Sequence, residues 1–233
     1  MNITQFTHLA SDSGGVLYVI VFMLFVALTV IIERLSFLHR ATGSTRMALK
    51  QIDAVDTLDA SKLVTCAAKF SGQPAERVLT AAAHLAGRAS REDLDSSLEE
   101  TVMREAPRVD RFLWVLDTVV TLAPLLGLFG TIVGMFNAFQ VLSNPGNAPT
   151  QVTGGVAEAL VATASGLFVA MFGLVFFNAL QNRVRTLMHQ LETLKAALVN
   201  RLAGVPREAL KDVREMREAP AAGIAGLAVQ RGG

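Results

Sequence analysis

The sequence predicts an all-α integral membrane protein: three transmembrane helices, N-terminus outside and C-terminus inside, with long helices extending into a cytoplasmic helical domain. Three observations carry this reading. The 233 residues are 52% hydrophobic and only 18% charged, with a mean hydropathy of +0.43, displaced from the averages of water-soluble domains. The 21 Lys and Arg fall in blocks, none in 1–33, 12 in 34–111, none in 112–182 and nine in 183–233. The basic-free blocks hold the long apolar runs. A net charge of +1 leaves no global basic field to concentrate nucleic acid. Cys66 is the single cysteine, which excludes an intrachain disulfide or a multi-cysteine metal site and reads as a small buried hydrophobe.

Residues 1–15 form the outer N-terminus. Residues 16–32, VLYVIVFMLFVALTVII, are 17 uncharged positions ending at Glu33-Arg34, just long enough to cross hydrocarbon, so the first span is 16–33. No basic residue precedes it and no small-residue cleavage site follows, the pattern of a retained span rather than a leader. The segment 34–111 mixes 12 basic with 11 acidic residues, which suits a solvated cytoplasmic helical bundle better than a lipid or nucleic-acid binder. Within it Asp59 caps SKLVTCAAKF, Pro74 opens PAERVLTAAAHLAG and Ser90 opens a charged helix leading towards span two, with breaks at Gly72 and Gly87.

From Phe112 to Asn182, 71 residues carry two charges, Asp117 and Glu158. The turn-forming SNPGNAPT at 143–150 divides them, giving spans at 112–142 and 151–182 and an outer hairpin between. Both spans exceed what ~30 Å of hydrocarbon requires at ~1.5 Å per residue, so the helices protrude on the basic side. Residues 183–205 continue span three as an amphipathic helix stopped by Gly204-Val-Pro206, and 206–233 form a tail whose Ala/Gly-rich end is expected to be disordered. The positive-inside rule places both basic segments in the cytoplasm and the basic-free N-terminus and hairpin outside.

Polar residues in hydrocarbon need a partner, water or a task. Span two contains Gly127, Gly130, Gly134 and Ala138 at spacings of three and four beside Thr131, which leaves one face nearly free of side chains. Span three carries two small stripes, Gly154/Gly155, Glu158, Ala162, Ser165 and Ala159, Thr163, Gly166, Ala170. Counting from the hairpin puts Thr131 and Thr163 at one shared level, ~18–20 Å deep, and Glu158 at ~12 Å. Asp117 falls ~39 Å from Ser143, at or past the inner interface, and reads as structural. For Glu158, with no Lys, Arg or His in the neighbouring spans, the choices are protonation, water, or pairing between chains. For each threonine the competing reading is a hydrogen bond to its own helix backbone.

Span two, LAPLLGLFGTIVGMFNAF (122–139), and span three, GGVAEALVATASGLFVA (154–170), resemble the signature helices of the MotA/TolQ/ExbB proton-channel family in its ExbB/TolQ branch. The layout of spans and loops is similar as well. The resemblance implies a bacterial inner-membrane ring, pentameric in that branch, around the single-span helices of an ExbD- or TolR-type partner. Protons driven by the proton-motive force would pass at that interface and energise a TonB- or TolA-type protein. It assigns the pore threonines to Thr131 and Thr163 and the intramembrane glutamate to Glu158. By the same resemblance, the proton-carrying aspartate would belong to the partner. The small faces read from spacing make Gly127, Gly130, Gly134, Gly155 and Gly166 the expected helix-packing residues. An ExbB-type role in TonB-dependent transport is the reading; a TolQ-type role in envelope integrity and a non-conducting membrane scaffold are the alternatives. The longer, four-span flagellar stators fit less well. Family members commonly carry a proline in a segment like AIPA after the third-helix signature, where Ala170-Met-Phe-Gly173 has Phe172; a straighter third helix is expected.

An intramembrane enzyme is disfavoured, since His8, His39, His84 and His189 all lie outside the spans and no HExxH spacing occurs. No catalytic residue, metal site or cofactor is expected, and membrane lipid is the expected surrounding.

Overall fold

A computed structural model describes residues 15–55, 58–142 and 149–204, with the backbone alone at 141–142 and 149–152. The expected outer N-terminus, the core of the hairpin and the tail beyond residue 205 lie outside the described residues. Six helices follow one another: α1 (Val16–Ala54), α2 (Ala60–Ala68), α3 (Pro74–Leu85), α4 (Arg91–Val109), α5 (Leu113–Leu142) and α6 (Pro149–Leu202). The described residues contain no strand. Three helices are long and apolar enough to cross a membrane, and α1 and α6, at 39 and 54 residues, exceed the ~20 residues a ~30 Å core requires.

Helix ends follow the local chemistry read from the sequence. Pro74 occupies the first turn of α3, where a missing N–H costs no hydrogen bond. The Ser90 hydroxyl accepts from Asp93 N–H at 3.2 Å and donates to the Asp93 carboxylate at 2.7 Å, capping α4. Gly72, Gly87 and Gly204 adopt φ of 78°, 73° and 76°, the left-handed region in which only glycine is unstrained. Asp59 occupies the cap position of α2 with no side-chain cap bond; its carboxylate instead lies 3.8 Å from Lys62. Helix α6 runs unbroken through Phe172, whose ring lies 6.4 Å from Phe168 and 4.8 Å from Phe176.

The chain divides into two compact units. One comprises the described parts of Met1–Arg40 and Ala106–Leu187. Its centre is the antiparallel pair α5/α6, which meet almost backbone to backbone. A Cβ on Gly127 would lie 3.0 Å from the Thr163 Cα, and one on Gly134 would lie 2.7 Å from the Ala159 Cβ. One on Gly166 would collide with the Ala123 carbonyl, and one on Gly130 would lie 2.9 Å from the Ala162 Cβ. Gly155 sits against Ala138 and Gly173 against Val120. The face of α6 turned to α5 therefore runs through 155, 159, 162, 166 and 173, with buried Ala170 between the last two. It draws from both small stripes read in the sequence, while Gly154 faces open space and Ser165 lines a groove against Leu17, Ile20 and Leu24 of α1.

The same unit contains a buried charge. Arg34 is 3% exposed; its guanidinium donates to both carboxylate oxygens of Glu33 and, at 3.1 Å, to the Arg108 carbonyl. It also lies over the rings of Phe37 (4.9 Å) and Phe112 (5.6 Å). Phe112 holds φ 66°, unusual for a bulky residue, and marks the break between α4 and α5.

The other unit comprises the described parts of Ala41–Glu105 and Met188–Gly233. Buried Leu94, Leu98 and Val102 recur along α4, and Leu191, Leu194 and Leu198 along α6. The Arg77 Nε donates at 2.6 Å to buried Glu105. Arg201 donates to the Val55 and Asp53 carbonyls at 2.9 and 3.3 Å, satisfying acceptors at the end of α1. Lys195 bonds Glu99 at 2.6 Å and Asp95 at 3.1 Å; the Glu99 hydrogen bond raises its pKa above the usual lysine value, burial opposes this, and Asp95 adds to the rise. The Cys66 thiol donates to Gln51 Oε1 at 3.3 Å, and burial raises its pKa.

Two outcomes follow from this packing. Gly134→Val and Gly166→Val overpack the α5/α6 contact, at a cost of ~1–3 kcal/mol each, and lower both monodisperse yield and Tm in detergent, whereas Gly154→Val leaves the pair's packing intact. Size-exclusion chromatography with thermal unfolding checks this. Lys195→Met removes a partly exposed ion-pair contribution of ~1 kcal/mol or less. Because the folded Lys195 pKa is raised, that contribution is fully present below the unfolded lysine pKa and is lost as pH rises through the folded one. The Tm difference between wild type and Lys195→Met is therefore constant from neutral pH to about pH 10 and narrows above it.

Candidate functional site

The α5/α6 contact sets where hydroxyls can sit. Because Gly127 has no side chain, the Thr163 hydroxyl reaches across and donates to the Gly127 carbonyl at 2.9 Å, a bond between helices. Thr131 donates to the Leu128 carbonyl of its own helix at 2.5 Å. Both threonines are half-buried. Each hydroxyl uses its one proton on a carbonyl and keeps acceptor lone pairs for water or an incoming acid.

The two threonines do not share one level. Thr163 stands opposite Gly127, and Thr131 lies four residues further along α5, ~6 Å at 1.5 Å per residue. Counting inwards from the hairpin misses this because the two helices do not leave the turn symmetrically; α6 already begins at Pro149.

Glu158 is half-buried and precedes Ala159, which packs on Gly134. Five residues separate it from Thr163, a rotation of ~140° at 3.6 residues per turn. The two therefore occupy opposite flanks of the contact stripe. Thr131 and Thr163 come together around one turn of α5, and Glu158 stands apart from them on α6.

Asp117, read from the sequence as structural, is exposed, and no hydrogen bond or ion pair joins its side chain to another described residue. Thr121, one turn on, donates to the Asp117 and Thr118 carbonyls, each at 3.0 Å. Sequence reasoning missed the buried Arg34, which looked like an interfacial charge ending a span, and the left-handed Phe112, for which no local glycine gave a signal. Among the described residues no cluster of His, Cys, Asp or Glu could hold a metal ion.

Comparison with known proteins places the sequence in a family. The sequence profile of the MotA/TolQ/ExbB proton channel family matches residues 71–193. Putative biopolymer transport protein ExbB-like 3 of Synechocystis sp. is 41% identical over 90 residues, 37% of this chain and 42% of that protein. Tol-Pal system protein TolQ of Haemophilus influenzae is 41% identical over 85 residues, 36% and 37% of the respective chains. Biopolymer transport protein ExbB of Xanthomonas campestris pv. campestris is 39% identical over 88 residues, 37% and 35%. The chain thus spans about two fifths or less of the length of these relatives. With the family match running over more than half of the chain, from the turn before α3 into α6, this chain belongs to the MotA/TolQ/ExbB proton channel family.

Proposed function

We propose that this protein is an ExbB-type proton-channel subunit of the bacterial inner membrane. It forms a homo-oligomeric ring, a pentamer by resemblance, with N-terminus outside and C-terminus inside. The ring works with an ExbD- or TolR-type single-span protein, and proton-motive force drives a TonB-type protein in outer-membrane transport. The observation that carries the reading is the glycine-packed α5/α6 pair with two threonine hydroxyls placed a turn apart on it. Threonines can hold water or hydrogen-bond a partner's carboxyl as it changes charge, without bringing a permanent charge into the membrane. The small contact face lets the pair stay together while its other faces meet neighbouring chains.

Two other readings each have an observation in favour. Relatives with comparable identity include a Tol-Pal system protein, which supports a TolQ-type role with a TolA-type protein. Both threonine protons are already bound to backbone carbonyls, which supports a scaffold in which they only fasten helices.

Proton uptake into proteoliposomes under an imposed potential separates conduction from scaffolding, using this chain with the ExbD- or TolR-type protein of the same genome. Thr131→Val, which removes a bond only within its own helix, lowers flux at least about tenfold, ~1.4 kcal/mol on the barrier, with the complex intact. Thr163→Val does the same and also costs ~0.6 kcal/mol of helix association. Glu158→Gln lowers flux too if Glu158 lines the route. Absence of flux in the wild type would support the scaffold reading, whereas wild-type flux in both variants would take the threonines out of the proton route.

A further inference from the structure

We infer that Asp117 is the proton acceptor at the α4-side mouth of the pathway, standing at the end of a water-accessible polar lane on α5. The inference rests on the conduction reading above and adds a residue that reading does not use.

Asp117, Thr121, Pro124, Leu128 and Thr131 follow one another by steps of four, three, four and three, so they share one face of the helix. That face is not the one turned to α6, which is taken by Ala123, Gly127, Gly130 and Gly134. Along the lane lie the Asp117 carboxylate, the Thr121 hydroxyl and the Thr131 hydroxyl, and at its edge, where it borders α6, the Gly127 carbonyl with the Thr163 hydroxyl on it. Taken in chain order along α5, their axial separations are ~6, ~9 and ~6 Å at 1.5 Å per residue, gaps that one to three waters close. Pro124 falls inside the widest gap. It has no N–H, so the Val120 carbonyl, beside Thr121 at the start of that gap, lacks its helix donor.

The carboxylate marks the end of the lane that meets water. Asp117 is exposed and has no side-chain partner among the described residues, and its position ~39 Å from Ser143 puts it at or past the end of a ~30 Å hydrocarbon core, where water meets the carboxylate. Trp114, one turn earlier and 70% exposed, has the amphipathic ring that settles at a headgroup interface. Asp117 therefore stands where the lane opens. A hydronium arriving along the lane gives its proton to the carboxylate and becomes water; the resulting acid then releases that proton to water or buffer outside the mouth. The carboxylate is regenerated, and no other reactant is needed.

The test compares wild type, Asp117→Asn, Asp117→Glu and Thr131→Val in complex with the single-span partner in proteoliposomes, at low and high concentrations of a small weak-acid buffer on the mouth side. Wild type conducts. Asp117→Asn loses about tenfold in flux at low buffer, a modest share of what a placed proton acceptor contributes, and recovers to within about twofold of wild type at high buffer, because a mobile base replaces the fixed one. Asp117→Glu stays near wild type. A conducting wild type with Asp117→Asn equal to it at low buffer overturns the inference and leaves the conduction reading intact. Absence of wild-type flux overturns the conduction reading and the inference with it. Independently of flux, Thr121→Cys in a Cys66→Ala background reacts with a charged, membrane-impermeant thiol reagent at least about tenfold faster than Leu122→Cys, which points ~100° away; equal rates mean a dry lane and overturn the inference.

Discussion

The rest of the structure depends on α5 and α6 touching through their backbones. Between membrane helices there is little hydrophobic gain, since lipid tails are as apolar as leucine, and association depends on dispersion contacts, hydrogen bonds and close fit. Glycine and alanine along both helices supply the fit, to the point where an added methyl at Gly166 would meet the Ala123 carbonyl. This contact leaves many of the large side chains on the outer faces. Phe129, Phe136, Leu160 and Phe168 are all more than half exposed, which suits surroundings of lipid or other apolar helices. It also explains Thr163: a cross-helix bond to a backbone carbonyl is possible only opposite a residue with no side chain to intervene.

A second constraint acts where the apolar part of the chain gives way to the charged part. Arg34 is nearly inaccessible, and a buried guanidinium is tolerated only with its donors occupied. Glu33, the Arg108 carbonyl and two aromatic faces occupy it. The Arg108 carbonyl belongs to the last turn of α4, whose acceptors have no intrahelical donors, so one cation fastens α1 to a helix end. Arg201 does the same for the end of α1 in the other unit. The left-handed backbone of Phe112 persists in the company of Arg34 and Arg111, whose guanidinium lies 4.4 Å from the ring.

Three membrane-capable helices were legible because charge exclusion from hydrocarbon writes itself into composition, as in the basic-free run 112–182. Pro74, Ser90 and Gly72 marked their helix boundaries because caps and left-handed turns are local chemistry. The glycine face of α5 was legible for the same reason: no other residue allows that approach. The partner stripe on α6 was not, since two small stripes were available and rotation is chosen by packing against α1 and α5 together. Nor was the offset between Thr131 and Thr163, because register depends on how the chain leaves the hairpin. Arg34 was read as an interfacial charge because burial of an arginine is decided by partners 74 residues away.

The opposite flanks occupied by Thr163 and Glu158 bear on assembly. They are five residues apart on one continuous helix, and ~140° of rotation separates them. With the stripe between them filled by α5, a single copy cannot turn both towards one water-filled space. A polar route that includes both must therefore be walled by more than one chain, with the Thr163 flank of one copy and the Glu158 flank of another, or of one copy and its partner, facing the same interior. A ring satisfies that requirement by symmetry, because a heterologous interface repeats the same two unlike flanks at every junction. The need for a multi-chain channel thus follows from the angular placement of two residues once both are given a role in proton movement.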